Sequence, residues 1–489
     1  MAKAGNAAAG RPVADLASPP ADIRPVPPAQ RRLSGFDIGI LWADLSIGLL
    51  VMLTGALLVI LGLDLPTALL AIGVGSVLGC IPLALVGLAG SREGVPGMVL
   101  FRPILGRRGS YLPSVLNIVQ LVGWTGFEFW VMSLVADQMS ERLLGFSSYW
   151  LWLGVVAVGC TALALGGPVL VVRAWLERFG AWVLAAVGAW ITFRVLSSAD
   201  LASLWSRPGT GGLSLVLAVD LVIALPVSWL PLVADYNRFA RPGASATAGT
   251  FFGYLFGNVW FYGLGALLVL AAGLQDVSPA GVGDALAVLA GGWVVLLALL
   301  VGETDEAFAD IYSAAVSSRN LSGRIPHRLA VVAVSVAGVG LATLLGLRPS
   351  VAFDAYEGFL FLLGSVFVPL FGVFVADYFV IRRWRPRPDR DGGGRGAAGG
   401  RTMTWPAVAW LAGFVIYQWS VPTGPSWWVG AVERAFSDWL HTPFPLAGSA
   451  AGASLPAFAT AFLLHAAIAR LRLRSASDSR VEWPSATPG

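Results

Sequence analysis

The sequence predicts an all-α polytopic membrane protein of twelve transmembrane helices, with the first ten arranged as a 5+5 inverted repeat whose helices 1 and 6 are broken. Three observations predict it. Of 489 residues, 56% are hydrophobic and 12% charged, and the mean hydropathy is +0.74, too apolar for a soluble chain of this length. Twelve apolar runs each approach the roughly 20 residues that a spanning helix needs. Spans 1 and 6, which hold equivalent positions in a five-plus-five unit, are both interrupted by helix-breaking residues.

Residues 1–33 are Ala/Pro-rich with scattered Arg and no apolar core, the composition of a disordered tail and not of a signal peptide. The predicted spans follow at 36–62, 67–89, 113–138, 149–166, 176–196, 213–234, 249–273, 291–317, 329–346, 356–381, 404–421 and 451–470. The first ten form a core over 34–383. A basic linker at 384–403, with Asp391-Gly392-Gly393-Gly394 inside it, separates them from two further spans at 404–471, and 472–489 is a tail.

An even number of spans puts both termini on one side. Most of the 32 Lys and Arg residues fall in the two tails and in the connections after even-numbered spans; Arg142, Arg194, Arg207, Arg348 and Arg434 are the exceptions. Both termini are therefore expected on the cytoplasmic side of the cell membrane. The formal charge of +4 thus reports topology and not nucleic-acid binding. The two cysteines, Cys80 and Cys160, lie in separate apolar runs and are expected to pack inertly, with no disulfide.

Span 1 contains Ala43-Asp44-Leu45-Ser46-Ile47-Gly48, a polar and glycine-containing break. Span 6 reads Ala224-Leu225-Pro226-Val227-Ser228-Trp229-Leu230-Pro231, where two prolines remove backbone donors. Paired broken helices mark the midplane site of secondary transporters, where unwound carbonyls bind a cation and half-helix N-termini face the substrate. The two halves share no evident sequence identity, so the repeat rests on positions alone.

Span 8 carries the costliest residues: Glu303, Asp305, Glu306 and Asp310 follow an apolar run without a turn signal. At about 100° per residue, Glu303, Glu306 and Asp310 share one arc, while Thr304 and Asp305 lie around the other side. Two polar faces on one buried helix suggest two sites. Thr304 and Asp305 offer hard oxygen ligands for a small cation; the alternatives are proton exchange or a structural pair between Asp305 and an arginine. Asp310 is a candidate for the substrate face. Three neighbouring carboxylates on that face would not all ionise easily.

Span 3 places Asn117, Gln120, Trp124 and Glu128 on one stripe, where an indole beside an amide and a carboxylate can stack on a flat heterocycle and bond its edge. The alternative is polar glue between packed helices. Asp44 is either a site residue or a partner for a neighbouring helix. Trp229, at the span 6 break, is a candidate second stacking face. Asp235-Tyr236-Asn237-Arg238 and Asp377-Tyr378 are expected at solvated cytoplasmic helix ends, where charged pairs can also lock or gate. No His/Cys metal spacing, nucleophile elbow or phosphate loop stands out, so neither an enzyme nor a cofactor is expected.

The stretch Ser228 to Arg238, the run 94–110 (GVPGMVLFRPILGRRGS), Gly123-Trp124-Thr125-Gly126-Phe127-Glu128 and Ala376-Asp377-Tyr378-Phe379 resemble the nucleobase/cation symporter family 1 over roughly residues 33–383. That family includes cytosine, purine and hydantoin permeases and a hydroxymethylpyrimidine branch. The resemblance implies a ten-helix inverted-repeat core plus two peripheral helices. It matches Trp124 to a stacking tryptophan, Glu128 to a position that often holds an amide, and Asp310 to a substrate-contacting asparagine. Thr304 and Asp305 match a hydroxyl pair that ligates sodium, and Val301 a carbonyl ligand. Backbone ligands from span 1 would fall around Ala43, Ser46 and Ile47. The acids at 128 and 310 favour a substrate edge rich in N–H donors or a protonated ring.

The expected function is alternating-access import of a small planar nitrogen heterocycle, cytosine or another aminopyrimidine first, with purine, hydantoin or a thiamine precursor next. The coupling cation is Na⁺ or H⁺. The expected substrate-binding residues are Trp124, Glu128, Gln120, Trp229, Asp310 and Asp44. An amino-acid or amine transporter, a channel and a non-transporting sensor are the rivals.

Overall fold

The computed structural model describes residues 23–166, 180–274, 279–289, 292–382, 404–445 and 452–478. The described chain is helical, with one isolated backbone bridge between Leu33 and Ala240. Nine helices among the described residues are long and apolar enough to cross a bilayer. A tenth crossing is the pair Gly35–Asp44 and Leu49–Ile60, bent by 57°, which is span 1 broken where the sequence places Ala43 to Gly48. The remaining two predicted spans fail that test for different reasons. Trp293–Leu321, span 8, is 29 residues long but rich in acids, and Thr404–Ser420, span 11, has 17 residues.

Span 6 is a helix over Leu215–Ser228, a turn through Trp229–Leu232, and a second helix over Val233–Asn237. The two prolines differ in effect. Pro226 sits inside the first helix, whereas at Pro231 the ladder gives way and the N–H groups of Leu232 and Val233 both turn back to the Trp229 carbonyl. Span 3 is Tyr111–Leu144, span 7 Ala244–Ala272 and span 10 the helix Pro349–Val375 with its continuation to Ile381.

The core is built by close helix pairs. Span 1 packs along span 7, and span 3 packs along span 8. The first contact needs small residues: a Cβ on Gly253 would stand 2.3 Å from the Gly39 carbonyl oxygen, so the two backbones touch.

Several expectations change at the ends of elements. The tail expected over 1–33 is structured from Ile23 on; residues 1–22 lie outside the described part. Arg31 donates to the carbonyls of Ser91 (2.9 Å) and Arg92 (3.1 Å), which the end of helix Leu65–Glu93 leaves without ladder partners. Val26 donates to Gly94 O at 2.8 Å, and Leu33 exchanges backbone bonds with Phe239 and Arg241. Ser34 and Asp37 then form a capping box that starts span 1. At the other end, the last helix runs to Asp478, past the expected start of the tail at 472. The linker 384–403 and the start of span 5 lie outside the described residues. Short helices at Arg102–Gly109, Leu201–Ser206, Pro279–Leu289 and Ser426–Arg434 fill connections in which no helix was expected.

The solvated helix ends expected at Asp235–Arg238 and Asp377 are buried instead. The side chains there bond to partners that hydropathy does not reveal. Asp235 accepts the Gly97 N–H at 2.8 Å, the Tyr236 hydroxyl donates to the Ala309 carbonyl at 2.8 Å, and Arg238 donates to the Tyr312 hydroxyl at 3.1 Å. Asp377 pairs with Arg382 and lies 3.5 Å from His465 Nε2. Cys80 and Cys160 are buried and free.

Candidate functional site

Span 3 brings its polar stripe against span 8 because the two helices pack along their length. Asn117 Nδ2 donates to Ser317 Oγ at 2.8 Å, and one turn further along span 8 Asn320 donates to Ser114 Oγ at 2.8 Å. Gln120 does something different: its amide nitrogen donates to Asn117 Oδ1 (2.8 Å) and to the Ser228 carbonyl (2.9 Å). Ser228 O is the acceptor that the span 6 break strips of its ladder donor, since Leu232 N–H bonds elsewhere. Gln120 therefore stabilises the break by satisfying it, while its own Oε1 has no partner among the described residues.

Above this, a cavity of about 10 Å³, room for a single water molecule, lies between spans 3, 6 and 8. Trp124 and Glu128 line it from span 3, Leu225, Ser228, Trp229 and Leu232 from span 6, and Glu306 and Asp310 from span 8. Trp124 is held edge-on by Phe359 (ring centroids 5.2 Å apart) and Tyr356 (6.1 Å). Trp229 is held by Trp42, at 5.7 Å and nearly perpendicular. Trp42 is itself fixed by an indole N–H bond to Asn237 Oδ1 at 2.9 Å. The Trp124 N–H has no hydrogen-bond partner among the described residues. A larger apolar groove at Leu116, Val366, Trp410 and Phe414 has no titratable side chain on its wall.

The acids of the cleft continue into a tighter cluster. Glu128, Glu303 and Glu306 each present a carboxylate oxygen such that all three lie within 4.8 Å of one another, a spacing compatible with ligating one ion. They are between 1% and 6% exposed. Span 1 supplies the floor. Glu303 Oε1 accepts the backbone N–H of Leu49, the first residue of the second half of span 1, so a carboxylate sits on a helix N-terminus. Gly48 is what lets it approach: a Cβ there would stand 2.4 Å from Glu306 Oε1 and 2.7 Å from Glu303 Oε1. One oxygen on each of Glu128, Glu303 and Glu306 has no partner among the described residues.

The opposite face of span 8 is arranged separately. The Thr304 hydroxyl donates to the Val301 carbonyl at 2.6 Å, within its own helix. Asp305 is buried and stands within electrostatic reach of Asp44 and of Cys160 in span 4, helix Tyr149–Gly166. Both carboxylate oxygens of Asp44 lack a hydrogen-bond partner among the described residues. In the break of span 1, the Ala43 carbonyl accepts from Ser46 N–H (3.3 Å) and Ser46 Oγ (2.9 Å), and it faces Gly257 of span 7 together with Ser46 Oγ and Ile47.

The structure thus brings Trp124, Glu128, Trp229 and Asp310 around one cleft, with Gln120 behind it and Asp44 beside Asp305. Glu303 and Glu306 stand at the centre of the arrangement, although the sequence offers only their shared arc with Asp310 as a signal. Ser228, whose carbonyl holds Gln120, and Tyr356, whose hydroxyl lies 2.8 Å from Thr54 Oγ1 behind Trp124, carry no sequence signal of their own.

Comparison with known proteins supplies the context. Residues 25–432 match the family described as "Permease for cytosine/purines, uracil, thiamine, allantoin". The hydantoin permease of Microbacterium maritypicum is 24% identical over 378 residues, 73% of this chain and 75% of the relative. The cytosine permease of Escherichia coli strain K12 is 26% identical over 326 residues, 66% of this chain and 72% of the relative. Among solved structures, Mhp1, a nucleobase-cation-symport-1 family transporter in a closed conformation with bromovinylhydantoin bound, superposes with a TM-score of 0.75. At 20% identity it covers 94% of this chain and 96% of its own. That likeness shows the fold.

Proposed function

We propose that this chain, which belongs to the family of permeases for cytosine/purines, uracil, thiamine and allantoin, imports a planar nitrogen heterocycle together with a cation, cytosine or another aminopyrimidine being the first candidate. It is a multi-pass membrane transporter and not an enzyme. The observation that carries the reading is the small cavity between spans 3, 6 and 8, whose wall carries two indoles, Trp124 and Trp229, and carboxylates from two different helices. A flat ring stacks on an aromatic face, and an exocyclic amino group and a ring N–H each meet a carboxylate. Glu128 and Asp310 orient the substrate edge, and Gln120 fixes the wall by holding the Ser228 carbonyl.

The cation is held, in this proposal, between the broken span 1 and span 8, by Thr304, Asp305 and the Val301 carbonyl with backbone oxygens at Ala43, Ser46 and Ile47. The unpartnered buried carboxylate of Asp44, within electrostatic reach of Asp305, supports a cation there, because a buried anion without a donor needs a counter-charge. Both ligands then engage span 8, and the cation joins it to the broken span 1, so each raises the affinity for the other. Both termini lie in the cytoplasm, as the asymmetry of Lys and Arg directs. Purines, hydantoins and thiamine precursors follow as substrates; the relatives include permeases named for hydantoin and for cytosine.

The test is uptake of labelled cytosine into proteoliposomes under imposed Na⁺ or H⁺ gradients, with competition by purines, pyrimidines, hydantoins and amino acids. Gradient-driven uptake competed by heterocycles, lost in Glu128→Ala and altered in cation dependence in Asp305→Asn, is the expected result. Uptake indifferent to both gradients, or competition by zwitterions alone, overturns the reading.

A further inference from the structure

We propose that the cleft selects its substrate by charge, accepting a planar ring that carries a positive, amidinium-like edge and rejecting rings that carry a carboxylate. This rests on the transporter reading above and deepens it to a substrate class.

Two independent features converge on it. The first is the composition of the cleft: among the described residues its titratable lining consists of Glu128, Glu306 and Asp310, and no basic side chain lines it. These acids come from two helices, and no cation of the protein stands on the same wall to pair with them. A ligand that brings its own positive charge, spread over a planar N–C–N edge, meets two carboxylates with parallel charge-assisted bonds. A neutral ring offers weaker donors to the same acceptors, and a buried charge left without a partner is costly. The Trp124 N–H on the same wall, buried and without a partner, asks in addition for one acceptor on the substrate, such as a ring nitrogen or a carbonyl oxygen.

The second feature is the occupied N-terminus of the half-helix Leu49–Ile60. In transporters with broken helices such an end faces the anionic group of a substrate. Here the chain fills that position with its own carboxylate, because Leu49 N–H donates to Glu303 Oε1 and Gly48 lets Glu303 and Glu306 close over the backbone. A substrate carboxylate would have to displace Glu303 and then lie beside Glu306 and Glu128, whose oxygens are within 4.8 Å. Amino acids and other carboxylate-bearing molecules are thereby refused.

The experiment uses purified full-length protein in lipid nanodiscs and three nearly isosteric rings that differ in charge: benzamidinium, benzamide and benzoate. Binding is followed by calorimetry at neutral pH, with cytosine and uracil in parallel. The expected ranking is benzamidinium at least about tenfold tighter than benzamide, with no measurable binding of benzoate. Glu128→Gln and Asp310→Asn each bring the first two closer together, and Glu303→Ala lets benzoate bind. Benzamide binding as tightly as benzamidinium in the unaltered protein overturns the proposal, and that comparison needs no variant to fold. So does benzoate binding within about threefold of benzamide. If the neutral ring wins while cytosine is still taken up along a cation gradient, charge selection fails and the transporter reading stands. If neither the three rings nor the nucleobases bind, both fail.

Discussion

Replacing Gly48 by alanine tests the arrangement at the span 1 break with the smallest available change. The backbone at Gly48 is extended, with φ −158°, so alanine is not strained there. The effect comes from the space alone. A Cβ would stand 2.4 Å from Glu306 Oε1 and 2.7 Å from Glu303 Oε1, where ordinary contact begins at 3.4 Å. Glu306 must therefore retreat by about 1.0 Å and Glu303 by about 0.7 Å, the differences between those distances. Both atoms are the far ends of flexible side chains, so the retreat itself is cheap, about 0.5–1.5 kcal/mol for an off-rotamer side chain. The Glu303 oxygen displaced is the one that accepts the Leu49 N–H, and a bond to a charged group is worth about 1.5–3 kcal/mol. If the site is built on that geometry, Gly48→Ala weakens substrate affinity by about 10- to 100-fold, from the second figure at about 1.4 kcal/mol per tenfold. The assay is calorimetric or uptake-derived affinity in proteoliposomes, alongside fluorescence size-exclusion to show that the protein folds. Gly48→Ala/Glu306→Asp, which withdraws one carboxylate by a methylene, is expected to recover part of the loss. Unchanged affinity in a folded Gly48→Ala protein refutes the placement of Glu303 and Glu306 at the floor of the site.

Other perturbations follow from the same contacts. Gln120→Leu leaves the buried Ser228 carbonyl and Asn117 Oδ1 without their donor, so it is expected to lower stability by roughly 1–3 kcal/mol, read as a lower melting temperature in detergent; an unchanged melting curve counts against the role given to Gln120. Asp220→Ala removes the acceptor for the N–H groups of Ala453 (2.7 Å) and Ser454 (3.1 Å), and faster hydrogen exchange at the start of helix Ser454–Asp478 is the expected readout. Asp64 caps helix Leu65–Glu93, and its bonds from Thr67 hold its carboxyl below the usual carboxylate range. A depressed folded-state value means that the stabilisation is fully present above the unfolded value, near 3.9, and is lost as pH falls through the folded one. Asp64→Ala is therefore expected to cost about 1 kcal/mol at pH 7, with a gap to the unaltered protein that closes on acidification below about pH 4. Melting curves across that range check both the size and the sign.

The membrane class, the positions of the helices and the two breaks are legible in the residues because they depend on neighbours in sequence. An apolar run needs no distant partner to be recognised, and Pro231 breaks span 6 through the donor that its own ring removes. Even the arc of Glu303, Glu306 and Asp310, and the stripe of Gln120, Trp124 and Glu128, follow from the turn of a single helix. What periodicity cannot say is which stripe meets which arc. Glu128 reaches Glu303 and Glu306 only because span 3 packs along span 8, and Leu49 N–H reaches Glu303 only because span 1 breaks, with a 57° bend between its halves, and starts its second helix beside span 8. The same limit explains Asp235 and Arg238, polar residues at a helix end whose burial depends on Gly97 and Tyr312, far away in the chain. It explains the segment before span 1 as well, where Arg31 looks like any basic tail residue until the end of helix Leu65–Glu93 presents its carbonyls. Helical periodicity is a local property set by backbone geometry. The partners that make a buried charge tolerable are chosen by long-range packing, and only the tertiary structure decides them.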